Sequence, residues 1–525
     1  MAGHLAAPTG RSFRAENPSD QRALPPAFHE CSLADVDRTL GLAEEAFTIY
    51  RRTSAEDRAA FLERVAEEIA TLGDELLQRA QQETGLPIDR LTGERARTIG
   101  QLKLFASLVR EGSWIDARID TALPERKPLP RPDLRRILLP LGPVIVFGSS
   151  NFPFAFSVAG GDTASALAAG NTVIVKAHRG HPGTSELVAG ALGRAVTSSN
   201  LPAGVFSMLH GSGAEIGTAL VRHPLARAVG FTGSRVAGRA LFDAANSRPD
   251  PIPVFAEMSS LNPVFILPGA LRARTPQIVE GLRGSVTVGV GQFCTKPGLV
   301  FGVGGPDLQR FATQFADAIA NTRPGTMLHR GICESYHRGL DTMEKVPGVV
   351  TLGMSDIEPD MAKTEGEPVV FATDAQTFLE QRQLHEEVFG PYALVVDAVN
   401  MAELLRIAQT LEGQLTATLH GTPEDIADAT ELIAVLERKA GRLIINGFPT
   451  GVEVCASMQH GGPYPATTDA RFTSVGTAAI QRFVRPVCYQ SFPAAGLPVD
   501  LHNENPRGIM RLINGTLTRD PISVP

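Results

Sequence analysis

The chain has 525 residues, more than one hydrophobic core organises, so roughly two or three domains are expected. Charged residues make up 20% and apolar residues 43%, as in an ordinary globular protein. A net charge of −7, with no extended Lys/Arg block, argues against a nucleic-acid or acidic-membrane partner. Five cysteines, scattered at positions 31, 294, 333, 455 and 488, have no metal-ligand spacing; no metal is expected, and a reducing, cytoplasmic compartment fits.

The N-terminal stretch MAGHLAAPTGRSFRAENPSD has no apolar centre and does not read as a secretory signal. Residues 34–110 read as helices, with Leu62, Val65, Ile69 and Leu72 at helical spacing. Residues 121–136, TALPERKPLPRPDLRR, are rich in proline and charge; neither a helix nor a central strand is expected there, only an exposed, extended arm. The most apolar stretch, 137–156, is interrupted by Pro140, Gly142, Pro143 and Pro153, so it reads as a buried strand and a loop and not as a membrane span.

From PVIVFG onward, short apolar runs ending in small or polar residues alternate with helical patterns, through NTVIVKA, VFSMLHG and ARAVGFTGS to IPVFAEM. That alternation predicts βαβ units and a Rossmann-like, doubly wound parallel sheet, in which ligands bind at the carboxyl ends of the strands. A second α/β region spans about 261–445, with VVFA, ALVVDA and GRLIIN as strands and QIVEGLRGSV, FATQFADAIAN, MAELLRIAQTL and DIADATELIAVLERK as helices. Beyond about residue 457 the periodicity is less regular.

The candidate chemistry lies at predicted strand ends and in glycine-rich turns. Asn151, in SSNFPFAFS, is either a turn residue or an amide that donates to a developing oxyanion. Lys176 and Arg179, in VIVKAHRGHPG, are either solvated charges or nucleotide contacts. GSGAEIG at 211–217 has its third glycine one position too late for the dinucleotide fingerprint. Gly233 and Ser234, in GFTGS, end a strand and open a helix whose N–H groups would meet a phosphate. Glu257 ends the next strand, where partial desolvation would raise its pKa and make it a general base. Cys294 sits in GVGQFCTKPG, where glycines let a substrate approach and a nearby cation or helix terminus would favour the thiolate.

Taken in order, Asn-Phe-Pro, V-K-A, F-T-G-S, a strand-end E-M, G-Q-x-C-T and E-V-F-G-P at 387–391 resemble the aldehyde dehydrogenase superfamily over about residues 30–490. The segments FGSSNFPFAFSVAGGDTASALAAG, HPGTSELV, RPDPIPVFAEMSSLNPVF, VGQFCTKPGLV and PRPDLRR are most similar to its ketoglutaric semialdehyde and NADP-preferring bacterial branch.

The resemblance implies that Cys294 is the nucleophile and that Asn151 and the Cys294 N–H hold the oxyanion. Glu257 then activates the hydrolytic water. Lys176 binds the adenine ribose, Gly233 and Ser234 lie at the pyrophosphate, Glu387 holds the nicotinamide ribose, and Phe389 packs near the nicotinamide. The implied reaction is oxidation of an aldehyde, foremost 2,5-dioxopentanoate, through a thiohemiacetal and a thioester, with medium- or long-chain aliphatic aldehydes as the alternative substrate. The rival readings are acyl transfer to coenzyme A and a catalytically silent paralogue on the same fold. It also implies a cofactor-binding domain of 1–120 and 141–256, a catalytic domain of 257–460, and an oligomerisation arm and C-terminal segment of 121–140 and 461–525. The arm is expected to pair with the chain after about Phe483 and with a neighbouring subunit, in a homodimer or homotetramer.

Two departures from the family pattern stand out: Ser149-Ser150 replaces a usual Pro-Trp, and Ser259-Ser260-Leu261 replaces Gly-Gly-Lys. A third concerns the cofactor. NAD-preferring relatives commonly carry an acidic residue three positions after the lysine, and here that position is Arg179. A guanidinium has no acceptor for a ribose hydroxyl but pairs with phosphate, so NADP is expected to be preferred over NAD.

Overall fold

The hairpin that opens the described chain is built from β1 (Ser12–Glu16) and β2 (Ala23–His29), paired antiparallel. This computed structural model describes residues 10–211 and 213–523; the first nine residues of the N-terminal stretch discussed above, Ser212 of the glycine-rich turn and the last two residues lie outside it. Four helices follow: α1 (Leu33–Tyr50), α2 (Ala55–Thr71), α3 (Gly73–Thr84) and α4 (Ile88–Glu111). The apolar spacing of α2 is its buried face: Leu62, Val65 and Ile69 are all in the core, and Leu72 is its C-cap. Ser32 and Asp35 cap α1 reciprocally, which fixes where the helix starts.

Short strand β3 (Arg118–Asp120) precedes the proline-rich arm, and β4 (Leu134–Pro140) follows it. Here the structure corrects the sequence reading. Residues 134–136 belong to β4, which is paired on both sides, because the last proline of the arm is Pro132 and the chain beyond it is free to donate to a ladder. Residues 122–130 remain exposed.

The parallel sheet then runs β5 (Val144–Phe147), α5 (Gly161–Ala169), β6 (Val173–Lys176), α6 (Pro182–Ser198), β7 (Phe206–Leu209), α7 (Gly213–Arg222), β8 (Ala228–Thr232), α8 (Arg235–Asn246) and β9 (Val254–Glu257). Its strand order is β7-β6-β5-β8-β9, every pair parallel, so the chain starts mid-sheet, winds outward to one edge and returns to wind to the other. The crevice where that direction reverses opens at the carboxyl ends of the strands.

A seven-stranded sheet forms the second layered unit. Its strands are β10 (Val264–Ile266) and β11 (Leu299–Val303), then β13 (Val350–Met354), β15 (Val369–Asp374), β16 (Tyr392–Ala398), β17 (Gln414–His420) and β18 (Ala440–Ile445). Two-residue strands β12 (Gly325–Thr326) and β14 (Glu365–Gly366) pair separately. The order is β13-β15-β16-β11-β10-β17-β18, antiparallel only at β13. The helical pattern at 425–439 divides at Ala429 into Pro423–Asp428 and Thr430–Glu437.

The third sheet contains β19 (Val484–Gln490), β20 (Arg511–Ile513) and β21 (Thr516–Thr518) in the order β19-β4-β3-β20-β21. Val484 pairs with Pro140 and Gln490 with Leu134, so the chain after Phe483 does meet the end of the arm. The preceding segment does not join this sheet. Thr467 bridges Glu257 along the edge of β9, and the turn Thr477–Phe483 packs on α5. Among the described residues no helix is long and apolar enough to cross a membrane.

Candidate active site

Glu257 is the last residue of β9, and the edge of that strand is closed by the chain from 466 to 468. Met258 N donates to Ala466 O and Thr468 N to Ala256 O. Cys294 lies in the turn before β11, held from below by Asn262, whose Nδ2 donates to the carbonyls of Cys294 (2.9 Å) and Lys296 (3.0 Å). Gly291 is required there twice over. Its φ is +65°, and a Cβ would lie 2.3 Å from the carbonyl of Gly390, so the G-Q-x-C-T and E-V-F-G-P segments touch backbone to backbone. Asn151 follows β5; its Nδ2 donates to Gln292 O at 3.1 Å, which leaves a second amide hydrogen beside the Cys294 turn.

These elements converge on a trio. His460 Nε2 is 3.5 Å from Cys294 Sγ and 3.0 Å from Glu257 Oε1, and Ser474 Oγ donates to Glu257 Oε2 at 2.6 Å. The sulfur, carboxylate and imidazole atoms all lie within 4.8 Å of one another. Glu257 is 3% exposed and His460 1%.

Both protonation states differ from the sequence expectation. Burial works to raise the Glu257 carboxyl, but the His460 charge and hydrogen bonds from His460, Ser474 and Cys294 outweigh it and hold the group below its ordinary value. Burial, the Glu257 charge and the hydrogen bond to Glu257 push the Cys294 thiol well above its ordinary value, against a smaller opposing pull from Arg97. The resting pair is therefore a carboxylate and a thiol, not a raised carboxyl beside a thiolate.

One face of α4 forms the wall above this trio. Glu94 Oε1 accepts from the N–H groups of Phe154 (2.9 Å) and Ala155 (3.0 Å), pinning the loop that carries Asn151. Arg90 donates to Asn151 O at 3.0 Å and lies over the rings of Phe152 and Phe293. Arg97, two turns on, lies over Phe152 and Phe156, and its Nε and one terminal nitrogen have no hydrogen-bond partner among the described residues. Phe152, Phe156 and Val475, with Phe293, Val452, Val454 and Met458, form the apolar lining.

Toward the parallel sheet, Lys176 ends β6. Burial pulls its pKa down, and it makes no hydrogen bond or ion pair among the described residues. Arg179 is exposed, its guanidinium 5.3 Å from the Phe13 ring centroid in the N-terminal hairpin. Gly233 and Ser234 are exposed at the start of α8, and Ser234 Oγ accepts from Ala237 N as the N-cap. A Cβ at Gly233 would lie 2.7 Å from the Phe231 ring, so the backbone here is bare.

Glu387 accepts hydrogen bonds from Ser259 and from the Ser260 N–H. Burial pushes its carboxyl up to about 7, against the pull of Lys296. Lys296 is itself lowered to about 8 by burial, with its Nζ donating to Tyr392 O at 2.9 Å. Phe389, next to Val388 in the chain, is half-buried. The serines that replace the glycines of the family pattern are thus in use: Ser259 and Ser260 hold Glu387, and Ser260 Oγ also donates to Asn262 and accepts from Leu415 N at 2.9 Å. Ser149 contributes only through its backbone carbonyl, which accepts from His181 Nε2 at 2.8 Å, while its Oγ has no hydrogen-bond partner among the described residues.

A dinucleotide fits this set. A cation unpaired among the described residues ends one strand, an exposed helix N-terminus follows its near neighbour, and a buried carboxyl lies beside the turn of Cys294. The sequence pattern does not single out His460, Ser474 or Arg97. The available signal for the first is the H-G-G-P run at 460–463, and for Arg97 the i, i+4, i+7 row Arg90, Glu94, Arg97 of charged residues facing inward on an otherwise amphipathic helix.

The sequence matches the aldehyde dehydrogenase family over residues 5–466. It is 53% identical over 516 residues to alpha-ketoglutaric semialdehyde dehydrogenase 2 of Azospirillum brasilense, covering 98% of each chain. It is 47% identical over 519 residues to alpha-ketoglutaric semialdehyde dehydrogenase of Acinetobacter baylyi, covering 99% of this chain and 98% of that one. Among solved structures, a 1-pyrroline-5-carboxylate dehydrogenase superposes with a TM-score of 0.78 at 21% identity, over 93% of this chain and 92% of the other, a likeness of fold.

Proposed function

The chain belongs to the aldehyde dehydrogenase family, an NAD(P)-dependent oxidoreductase of aldehydes, and on that premise we propose that its substrate is 2,5-dioxopentanoate, oxidised to 2-oxoglutarate with NADP preferred over NAD. The two relatives named for this semialdehyde match along nearly their whole length. The observation that carries the substrate reading is Arg97. It is a guanidinium with donors unpartnered among the described residues, set among aromatic rings and within electrostatic reach of Cys294, and it suits an aldehyde that bears a carboxylate at its far end.

In the reaction we infer, Cys294 Sγ bonds to the aldehyde carbon while its proton passes to Glu257. The carbonyl π pair moves to oxygen, where the Asn151 amide and the Cys294 N–H receive it. A bound nicotinamide would supply the hydride acceptor needed for the thiohemiacetal on Cys294 to become a thioester. Glu257, having released its proton to solvent, accepts one from the attacking water, and the C–S bond breaks with its electron pair returning to sulfur. A carboxylate held ionised beside the thioester favours hydrolysis over transfer to coenzyme A. Lys176 binds the adenine ribose, the turn at Gly233 and Ser234 meets the pyrophosphate, and Glu387 with Phe389 holds the nicotinamide riboside. Arg179, exposed and without a carboxylate partner among the described residues, supports the NADP preference.

The parallel sheet and the helices before it form the cofactor-binding domain in this reading, and the seven-stranded sheet the catalytic one. We also infer a cytoplasmic homo-oligomer. Its five cysteines are free, and β19 is an edge strand with alternating exposed residues beside an exposed arm, a surface that a second subunit would cover. Light scattering at micromolar protein should give a dimer or tetramer mass; a monomer would remove this reading.

The substrate test compares kcat/KM for 2,5-dioxopentanoate, succinic semialdehyde, glutaraldehyde and decanal, in the wild type and in Arg97→Met. The dioxo acid should lead. In the variant its KM should rise roughly ten- to hundredfold, the equivalent of about 1.5–3 kcal/mol for a charge-assisted contact, with decanal unaffected. Decanal leading in the wild type would overturn the reading.

A further inference from the structure

We propose that His460 is a catalytic residue of the oxidation, whose Nε2–H donates to Glu257 in the resting enzyme and to the Cys294 sulfur whenever that sulfur carries negative charge. The inference rests on the reading of Cys294 as nucleophile and Glu257 as base. The geometry points to it directly: one imidazole nitrogen lies within hydrogen-bond distance of both reacting groups, 3.0 Å from Glu257 Oε1 and 3.5 Å from Cys294 Sγ.

The ring cannot easily leave this position. The His460 N–H donates to Thr473 Oγ1 at 2.8 Å, its carbonyl accepts from Ser474 N at 2.8 Å, and the Phe156 ring lies 6.3 Å away. Its other nitrogen, Nδ1, is buried with no hydrogen-bond partner among the described residues. Against the ionised Glu257 carboxylate, which only accepts, Nε2 carries its hydrogen, so the ring has no free nitrogen on the side of the sulfur with which to take a proton. His460 is a donor, and the base is Glu257.

Proton transfer within the trio moves one negative charge from carboxylate to sulfur, and that charge passes to the aldehyde oxygen when the C–S bond forms. At rest Glu257 holds it, shared with His460 Nε2–H and Ser474 Oγ–H. When the thiol proton crosses to Glu257, the S–H bond breaks and an O–H bond forms, and the charge moves to sulfur. The carboxyl is then the weaker acceptor and the thiolate the stronger, so the Nε2–H bond follows the charge without the imidazole gaining or losing a proton. In the second half-reaction the same donor meets the sulfur as the C–S bond breaks and its electron pair returns. The other charged groups acting on this centre are Arg97 on α4, Glu387 of the E-V-F-G-P segment and Arg442 on β18.

The test uses the full-length enzyme and three substitutions. His460→Ala and His460→Phe remove the donor, the second with its volume filled, and His460→Gln returns an N–H donor. The readouts are the pre-steady-state burst of reduced cofactor, the pH profile of Cys294 alkylation by iodoacetamide, and cofactor affinity as a check on folding. Of the first two variants, whichever binds cofactor like the wild type is read. Its burst should slow roughly a hundredfold and its alkylation profile should shift to higher pH, both partly restored in His460→Gln. A burst within twofold of wild type, or an unchanged alkylation profile however slow the burst, would overturn the proposal, because a merely structural histidine gives that pattern. Cys294→Ala in the same series separates the two levels: activity there refutes the nucleophile itself, whereas an inactive Cys294→Ala beside normal His460 variants refutes only the role of His460.

Discussion

The reacting end and the nucleotide end of the same crevice are built in opposite ways. Around Cys294 the polar groups are buried and answer one another: Glu257 accepts from His460, Ser474 and Cys294, and Asn262 ties the turn from beneath. At the other end Ser234 and Arg179 face water, Val236 in the first turn of α8 is 83% exposed, and Lys176 is unpaired among the described residues. In a dry, low-dielectric site each donor matters and each loss strands a partner; in water the same charges are screened. Substitutions at the first end should therefore cost orders of magnitude whatever the salt, and those at the second should give modest, salt-dependent changes.

The largest effect should come from Cys294→Ala. Dehydrogenase turnover should fall by about 10⁴-fold or more while cofactor affinity, set at the other end, stays within about twofold. A cofactor affinity that collapsed with it would mean the two ends are not independent. Next is Glu257→Gln, whose steady-state rate should drop roughly 10²–10⁴-fold, with a slowed burst of reduced cofactor still visible before the stall. Unimpaired turnover would take Glu257 out of the mechanism.

A third effect follows from the direction of the thiol shift. With Cys294 pushed up by burial and the neighbouring carboxylate, only a small fraction is thiolate near neutrality, so the wild-type burst rate should climb from about pH 6 to about pH 9, by up to about tenfold per unit. Stopped-flow traces that are flat over that range would reveal a thiolate already formed at rest. The smallest effect belongs to Arg179→Glu. Wild type should favour NADP by roughly ten- to hundredfold in kcat/KM, the variant should reverse the order, and raising the salt should shrink both ratios. Equal values for the two cofactors in the wild type would sink this assignment.

Much of this arrangement is legible along the chain. The runs PVIVFG, NTVIVKA, VFSMLHG, ARAVGFTGS and IPVFAEM each became a strand of the parallel sheet, because strands buried on both faces must be short and apolar throughout. Strands β10, β11 and β17 escaped the same reading. Val264–Ile266 is only three residues, Leu299–Val303 contains a glycine, and Gln414–His420 carries two buried threonines. Residues 134–136 were grouped with the proline-rich arm because composition blurs a boundary that pairing with β19 makes sharp.

Cys294, Glu257 and Asn151 stand out in the sequence because the turns and strand ends that present a reacting group need local residues, glycines above all, and local requirements leave local marks. The protonation of those groups does not stand out. Burial of Glu257 at a strand end predicts a raised carboxyl, and that is the direction burial alone does act. What reverses it are donors 203 and 217 residues further along, His460 and Ser474, brought to the carboxylate only when the chain after 457 folds back along β9. Identity of the reacting groups is thus written in sequence, whereas their charge state depends on partners that only the closed tertiary structure supplies, because hydrogen bonding and desolvation are properties of neighbours in space and not of neighbours in the chain.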